Sequence, residues 1–272
     1  MSKVTFSDPY APVEIEPIMT SEGLETKRQI IKVRDDEGKL QPVSDVSRDY
    51  QVITNEAAFQ IVQDVQSRSE YTWQEMKNFF DGKRYYHYSM SEQEVGKVNN
   101  GISRTVRVGI LAKNSYDGSC RFGIQLFMAM YECTNQFIHP NMFGNFLMRH
   151  TQGAEGGNLL NAEDAAQQIS RGAGTMVQML PAIQSLKKSD PLSLSLLQQA
   201  QQGVAIAPSK WGSVLSNIEA DNEWGLLNAM TFVASHELAG GASLRAGESI
   251  GRFFLDKREG EVAEARKTAK SN

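Results

Sequence analysis

The chain has 272 residues, of which 40% are hydrophobic, so it can bury the core of one large domain or of a domain with an appendage. Its formal net charge of −4 at pH 7 argues against a surface that is basic all over and binds nucleic acid everywhere. The first residues lack a signal-peptide pattern, and no apolar run approaches the roughly 18 to 20 residues of a membrane span. The sequence therefore predicts a cytoplasmic protein without membrane contact.

Charge is distributed unevenly along the chain. Residues 81–150 contain 8 Lys and Arg against 5 Asp and Glu, whereas residues 1–80 contain 9 against 14 and residues 151–272 contain 11 against 13. The middle segment is therefore +3 between flanks of −5 and −2. Any site for a polyanion is expected in this middle segment.

The first 47 residues are polar and hold four of the eight prolines. They are expected to form an extended arm with one short strand around Arg28 to Val33, because proline cannot donate to a sheet ladder. The next segment has a different pattern. Thr54 or Asn55 caps a predicted helix whose apolar side chains follow helical spacing, namely Ala58, Ile61, Val62 and Val65.

A strand is predicted from Lys83 to Met90, after a turn at Asp81-Gly82. Basic and tyrosine side chains are interleaved in it. Lysine and arginine can bind phosphates while tyrosine rings stack on bases, which suits single-stranded nucleic acid. Tyrosine is also a good strand former, so the same residues are compatible with a purely structural strand.

The stretch from Ser103 to Phe137 predicts a long β-hairpin. Apolar residues alternate with polar ones in both halves, which is typical of strands with one buried and one solvated face. Asp117-Gly118 supplies the turn, because glycine accepts positive φ angles. The solvated face would collect Arg107, Lys113 and Arg121, either for a partner or only for contact with water.

After Phe137 the pattern becomes helical. Helices are predicted after a capping box at Asn161 and Asp164, from Leu192 to Gln202, and in several pieces from Pro208 to Leu255. We therefore predict an α+β fold, with an antiparallel sheet built on the long β-hairpin, packed by helices, and with a helical C-terminal half. The expected segments are an extended N-terminal arm over 1–47, an α+β core over 48–152, a helical region over 153–255 and a charged tail over 256–272.

Motifs for catalysis are absent from the sequence. His236-Glu237 begins a metalloprotease-like pattern, but Gly240 stands where the second histidine would fall. The glycine-rich segment 153–157 is not followed by the Lys-Ser/Thr of a phosphate-binding loop. We therefore predict no catalytic residue, no metal site, no cofactor and no enzymatic activity, with a nuclease that uses scattered carboxylates as the remaining alternative.

Several short motifs carry a resemblance to a known family. They are Asn114-Ser115-Tyr116-Asp117-Gly118-Ser119, Cys133-Thr134-Asn135, Arg149-His150-Thr151 and Pro208-Ser209-Lys210-Trp211 with Trp224. From about Tyr50 to Gly241 the chain resembles the phage- and plasmid-like family known as domain of unknown function nine-three-two. Tyr116 stands where that family usually has a histidine. The resemblance implies a protein of prophages or plasmids in the cytoplasm of a bacterial host cell, with no settled activity.

The predicted order of elements resembles the core of single-strand annealing recombinases of the Rad fifty-two and phage Redβ type. This resemblance implies rings or filaments that hold one DNA strand along a basic groove without ATP. The leading hypothesis is thus a homo-oligomer that binds and anneals single-stranded DNA. Its expected binding residues are Lys83, Arg84, Tyr86, Tyr88, Arg104, Arg107, Lys113, Arg121 and Arg149. The alternative is a protein-interaction or counter-defence module of a mobile element that does not bind DNA.

Overall fold

The structure is a computed structural model that describes residues 4–100, 102–130, 135–138, 145–148 and 162–256. It is an α+β protein with antiparallel sheets and with most helices in the C-terminal half, as predicted. The described residues group into two compact units. The first draws on Met1–Ser89, Ile110–Gln125 and Asn145–Gln167, and the second on Met90–Gly109, Leu126–Gly144 and Gln168–Asn272. These interleaved units do not follow the predicted boundaries at 47 and 152.

Residues 13–47 form a three-stranded antiparallel sheet, so the predicted extended arm is wrong. The strands lie in the order β1 (Val13–Met19), β2 (Glu25–Arg34) and β3 (Leu40–Ser47). The central strand supplies Ile31 and Val33, which are both fully buried. The proline content predicted an arm without a sheet, but Pro17 and Pro42 lie in the two edge strands. A missing N–H in an edge strand leaves the hydrogen bonds in the interior of the sheet intact.

Helix α1 (Asn55–Arg68) begins where the capping pattern predicts. The Thr54 hydroxyl accepts a hydrogen bond from the Ala57 N–H, which satisfies one of the amide groups left open at the helix start. The predicted apolar stripe is largely buried, and Ala58 packs against Phe122.

The larger sheet has six strands. They are β4 (Trp73–Phe80), β5 (Arg84–Asn100), β6 (Ile102–Ser115), β7 (Phe122–Met130), β8 (Asn135–Ile138) and β9 (Asn145–Met148). Strands β4 to β8 are neighbours in sequence order, and β9 also pairs with β7. The strand predicted from Lys83 is confirmed as the start of β5. The predicted long hairpin is confirmed as β6 and β7, although it ends at Met130, and Phe137 lies in β8.

Strand β7 is buried on both faces, so the predicted solvated face is wrong for this strand. Ile124 and Leu126 are buried as expected, but Gln125 and Phe127 on the other face are buried as well. The strand is central, since β6 pairs with one edge and β8 and β9 pair with the other. Phe127 fills the space over Gly109, where an added Cβ would lie 2.1 Å from a ring carbon. Packing against this strand therefore covers both of its faces.

The other α-helices in the described ranges are α2 (Ala162–Ser185), α3 (Leu194–Gly203), α4 (Trp211–Ser216), α5 (Glu223–Phe232) and α6 (Gly240–Leu255). A π-helical turn, Val233–Glu237, follows α5. Gly240 is the first residue of α6. Strand β8 lies against α5 and α6 within the second compact unit. In the described ranges, no helix is both long enough and apolar enough to span a membrane.

Candidate nucleic-acid interface

One end of the larger sheet gathers four of the predicted binding residues. Strand β5 starts at Arg84, β6 ends at Ser115 and β7 starts at Phe122. Because these strands are neighbours joined in sequence, their ends lie at the same end of the sheet. We call the four residues there the basic cluster: Lys83, Arg84, Lys113 and Arg121. Lys83 and Arg121 are exposed, and the other two are half-buried.

Short-range contacts hold the basic cluster to the turn between β6 and β7. The Tyr116 N–H donates to the Lys83 carbonyl oxygen at 2.7 Å. Burial raises the pKa of the Cys120 thiol, and the nearby positive charges of Lys113 and Arg84 oppose that rise. These interactions place the cations around one turn rather than along a whole strand.

Two carboxylates lie beside these cations. Asp81 Oδ2 is 3.0 Å from Arg84 Nη2 and 3.1 Å from Arg84 Nε, and the charge of Asp81 raises the pKa of Arg84. The Asp117 carboxylate also acts on Arg84 from the turn. The cluster and its two carboxylates therefore carry a net charge of +2, from four cations and two anions. The Asp-x-x-Arg spacing across the Asp81-Gly82 turn is the sequence signal for the ion pair, which was not predicted.

Of the remaining basic residues of the predicted site, Arg107 is the one whose side chain lies in the described part of the chain. Arg107 belongs to the second compact unit and is half-buried. Arg104 lies on β6, but its side chain is outside the described part, and Arg149 falls outside the described residues altogether. Among the predicted cations whose side chains are described, the structure therefore brings together the four of the basic cluster.

Tyr86 and Tyr88 do not offer stacking surfaces, which corrects the prediction for both. Their side chains are only 4% and 2% exposed. The Lys77 ammonium lies 4.7 Å from the centre of the Tyr88 ring, and Phe79 packs beside Tyr86 with 6.1 Å between ring centres. The unbroken run of large side chains in Tyr85–Tyr88, without alternation, is the sequence signal for burial on both faces of a strand.

The turn motif that carries the family resemblance is a buried hydrogen-bond network. The Asn114 side-chain amide donates to the Ile53 carbonyl oxygen at 2.8 Å and to Asn55 Oδ1 at 2.9 Å. The Tyr116 hydroxyl accepts the Asn55 N–H at 3.1 Å, an amide that α1 leaves open at its start. Burial raises the pKa of Tyr116 to about 12, so this hydroxyl stays neutral. These residues fix the start of α1 to the hairpin.

The turn itself is closed by short polar contacts. The Ser115 hydroxyl donates to the Cys120 carbonyl oxygen at 2.8 Å and accepts the Cys120 N–H at 3.1 Å. Asp117 Oδ1 accepts the Ser119 N–H at 2.9 Å, and Gly118 has a φ of 70°, which residues with a side chain rarely adopt. Several hydrogen bonds therefore fix the conformation of the turn beside which the basic cluster lies.

A second polar network, which the sequence patterns did not predict, joins β4 to β5. His87 Nδ1 is 2.7 Å from Asn78 Oδ1, and His87 Nε2 is 2.7 Å from the Ser89 hydroxyl. The Asn78 amide donates to Glu75 Oε1 at 2.6 Å, so its oxygen faces His87 and Nδ1 carries the imidazole proton. Ser89, His87 and Asn78 are linked in the same order as the nucleophile, base and orienting residue of a catalytic triad. However, His87 and Ser89 are only 1% and 2% exposed, so a substrate could not reach them. The network therefore stabilises the pairing of β4 with β5 inside the protein.

Replacing His87 with glutamine is expected to flatten the pH dependence of stability between pH 6.5 and 4. Burial lowers the pKa of His87 from 6.5 to about 4, whereas an unfolded chain protonates histidine near 6.5. The stabilisation is therefore present above pH 6.5 and is lost as the pH falls toward 4, by up to about 3 kcal/mol. Urea unfolding at several pH values measures this loss. The exposed His236, changed to glutamine, is the control that should keep the wild-type slope; a wild-type slope in His87→Gln would contradict the prediction.

Two motifs that are distant in the sequence meet in the second compact unit. Lys210 Nζ, from the Pro208–Lys210 turn, is 2.9 Å from Glu237 Oε2, and the Ser213 hydroxyl donates to Glu237 Oε1. The Ser213 hydrogen bond and the Lys210 contact lower the pKa of Glu237. These two contacts hold α4 to the π-helical turn.

Among the residues that the structure describes, no group of three His, Cys, Asp or Glu side chains could hold a metal ion.

Fold and site together define an α+β protein with a basic cluster at one end of its larger sheet. A model of the family described as Domain of unknown function (DUF932) matches residues 42–239, so the chain belongs to this family and the family resemblance is confirmed. The match begins within β3, ends just before α6 and includes the whole basic cluster. Searches of curated proteins and of solved structures found no match.

Proposed function

We propose that this protein binds single-stranded DNA and anneals complementary strands, without ATP and as a homo-oligomer, in the bacterial host of a phage or plasmid. The observation that supports this most is the basic cluster around one turn, in a chain whose net charge is −4. A local concentration of cations on an otherwise acidic protein favours a defined polyanion site.

Binding through phosphates alone suits annealing. The basic cluster would bind the backbone of a strand and leave its bases free, and these must be free to pair with a second strand. Proteins that hold single strands by stacking use exposed aromatic rings. Because Tyr86 and Tyr88 are buried, they do not provide such rings. The arrangement therefore favours annealing over the storage of strands with stacked bases.

An oligomer follows from the small number of contacts that one copy can make. Three or four phosphate contacts predict a salt slope of roughly −2 to −3 on single strands, which corresponds to weak binding. Copies side by side on one strand add their contacts, and linked binding raises the overall affinity far above that of one copy. We therefore propose a ring or filament as the active form.

Fluorescence anisotropy with a labelled oligonucleotide at low salt tests the DNA binding. We expect an affinity that falls as salt rises, together with faster pairing of complementary strands in the absence of ATP. Negative-stain microscopy with and without the oligonucleotide should show rings or filaments. No affinity at low salt would contradict the DNA binding, and a compact monomer under both conditions would contradict the oligomer.

Two other outcomes would indicate a different class of function. Stable co-purification with one host factor, together with indifference to DNA, would favour the protein-interaction or counter-defence module. Cleavage of DNA that depends on a divalent metal would favour a nuclease.

A further inference from the structure

Asp81 binds Arg84 of the basic cluster through the guanidinium N–H groups that a phosphate would also bind. We infer that Asp81 competes with the DNA backbone for Arg84 and so keeps the affinity of each copy low. The inference rests on the proposed DNA binding and assigns one residue that regulates it.

The Asp81 carboxylate is held in place from two sides. Its Oδ1 accepts the backbone N–H groups of Lys83 at 2.9 Å and of Arg84 at 2.8 Å. Its Oδ2 faces the Arg84 guanidinium, at 3.1 Å from Nε and 3.0 Å from Nη2. The backbone bonds fix the carboxylate in a turn, and the side-chain contacts occupy one edge of the guanidinium.

A guanidinium edge is what arginine offers to a phosphate when it forms two parallel hydrogen bonds. The Arg84 and Asp81 side chains are 39% and 28% exposed, so a phosphate can reach the pair from solvent. Ion pairs with this much exposure contribute little to stability, so a phosphate can replace the carboxylate. Within the described ranges no carboxylate forms an ion pair with Lys83, Lys113 or Arg121, so Asp81 controls Arg84 in particular.

Weak binding by each copy has a use in annealing. A strand must leave one register and try another before matching bases pair. A carboxylate that recaptures Arg84 shortens the time for which one phosphate stays bound, and so raises the dissociation rate. The copies of an oligomer together still retain the strand.

Asp81→Asn tests the inference in the full chain with a labelled oligonucleotide. Asparagine keeps an oxygen acceptor for the two backbone N–H groups and loses the charge that holds Arg84. We expect the Kd to fall roughly five- to tenfold at low salt, and the salt slope to steepen by about 0.7 per copy, because one more phosphate contact forms. Asp45→Asn is the matched control. It removes the same charge from an ion pair of 2.7 Å with Arg28 in the three-stranded sheet, and it should change neither quantity.

Arg84→Ala completes a double-mutant cycle. In the wild-type background, Arg84→Ala should weaken DNA binding less than Lys113→Ala does. Combined with Asp81→Asn, it should abolish the increase in affinity that Asp81→Asn causes alone. Equal affinities for Asp81→Asn and Asp45→Asn would overturn the inference. The inference would also be overturned if Arg84→Ala lost as much DNA affinity as Lys113→Ala. This comparison does not use Asp81→Asn, so it tests the inference even if that variant does not fold. If the wild type itself does not bind DNA, the proposed function fails instead.

Discussion

Lys113→Glu combined with Arg121→Glu is expected to lower the affinity for single-stranded DNA on the order of 100-fold at low salt. The double change turns the net charge around the turn from +2 to −2, since two of four cations become anions. Two lost phosphate contacts should also reduce the salt slope by about 1.4 per copy. Arg121 is exposed and Lys113 half-buried, so the fold should persist. Fluorescence anisotropy across a salt series measures both effects.

A matched control separates the site from the total charge. Lys27→Glu with Lys39→Glu changes the net charge by the same amount on two exposed lysines of the three-stranded sheet or its turns. At about 0.1 M salt in the same series, this control should retain most of the affinity, because charges farther from the bound strand than a Debye length of about 10 Å are largely screened. If both double variants lose the same affinity, the basic cluster is not the binding site.

Helix α1 and the hairpin of β6 and β7 were predictable because their signals are local. The Thr54 cap and the apolar spacing after it specify a helix start without reference to any distant residue. Alternation on either side of Asp117-Gly118 specifies two strands and a turn between them. Once the hairpin is known, Lys113 and Arg121 must lie at its turn end, so half of the basic cluster could be located from the hairpin alone.

Features that depend on packing between distant segments were not predictable in this way. Pro17 is tolerated because β1 is an edge strand, and edge position is a property of the assembled sheet. Tyr86 has a high strand propensity whether it faces water or core, so propensity alone could not place its ring. His87 and Ser89 share a face because they are two residues apart, but their partner Asn78 comes from another strand.

The same distinction between local propensity and packing applies at Gly225. Gly225→Ala is expected to destabilise the second compact unit by about 2 to 4 kcal/mol, although alanine is normally the better helix former. Gly225 lies in the first turn of α5, where its N–H donates to the Asn222 side chain at 3.0 Å. An added Cβ would stand 2.0 Å from the Ala220 carbonyl oxygen and 2.9 Å from two further backbone atoms of Ala220. Either this backbone or the Asn222 cap must therefore move.

Gly174→Ala is the matched control within the same compact unit. Gly174 lies inside α2, and nothing stands within 4 Å of a Cβ built on it. Alanine should therefore stabilise this helix by up to about 1 kcal/mol. Denaturant unfolding followed by far-ultraviolet circular dichroism measures both variants. Because one added methyl group meets backbone at Gly225 and open space at Gly174, the two changes in unfolding free energy should have opposite signs, and a shared sign would contradict the packing described at α5.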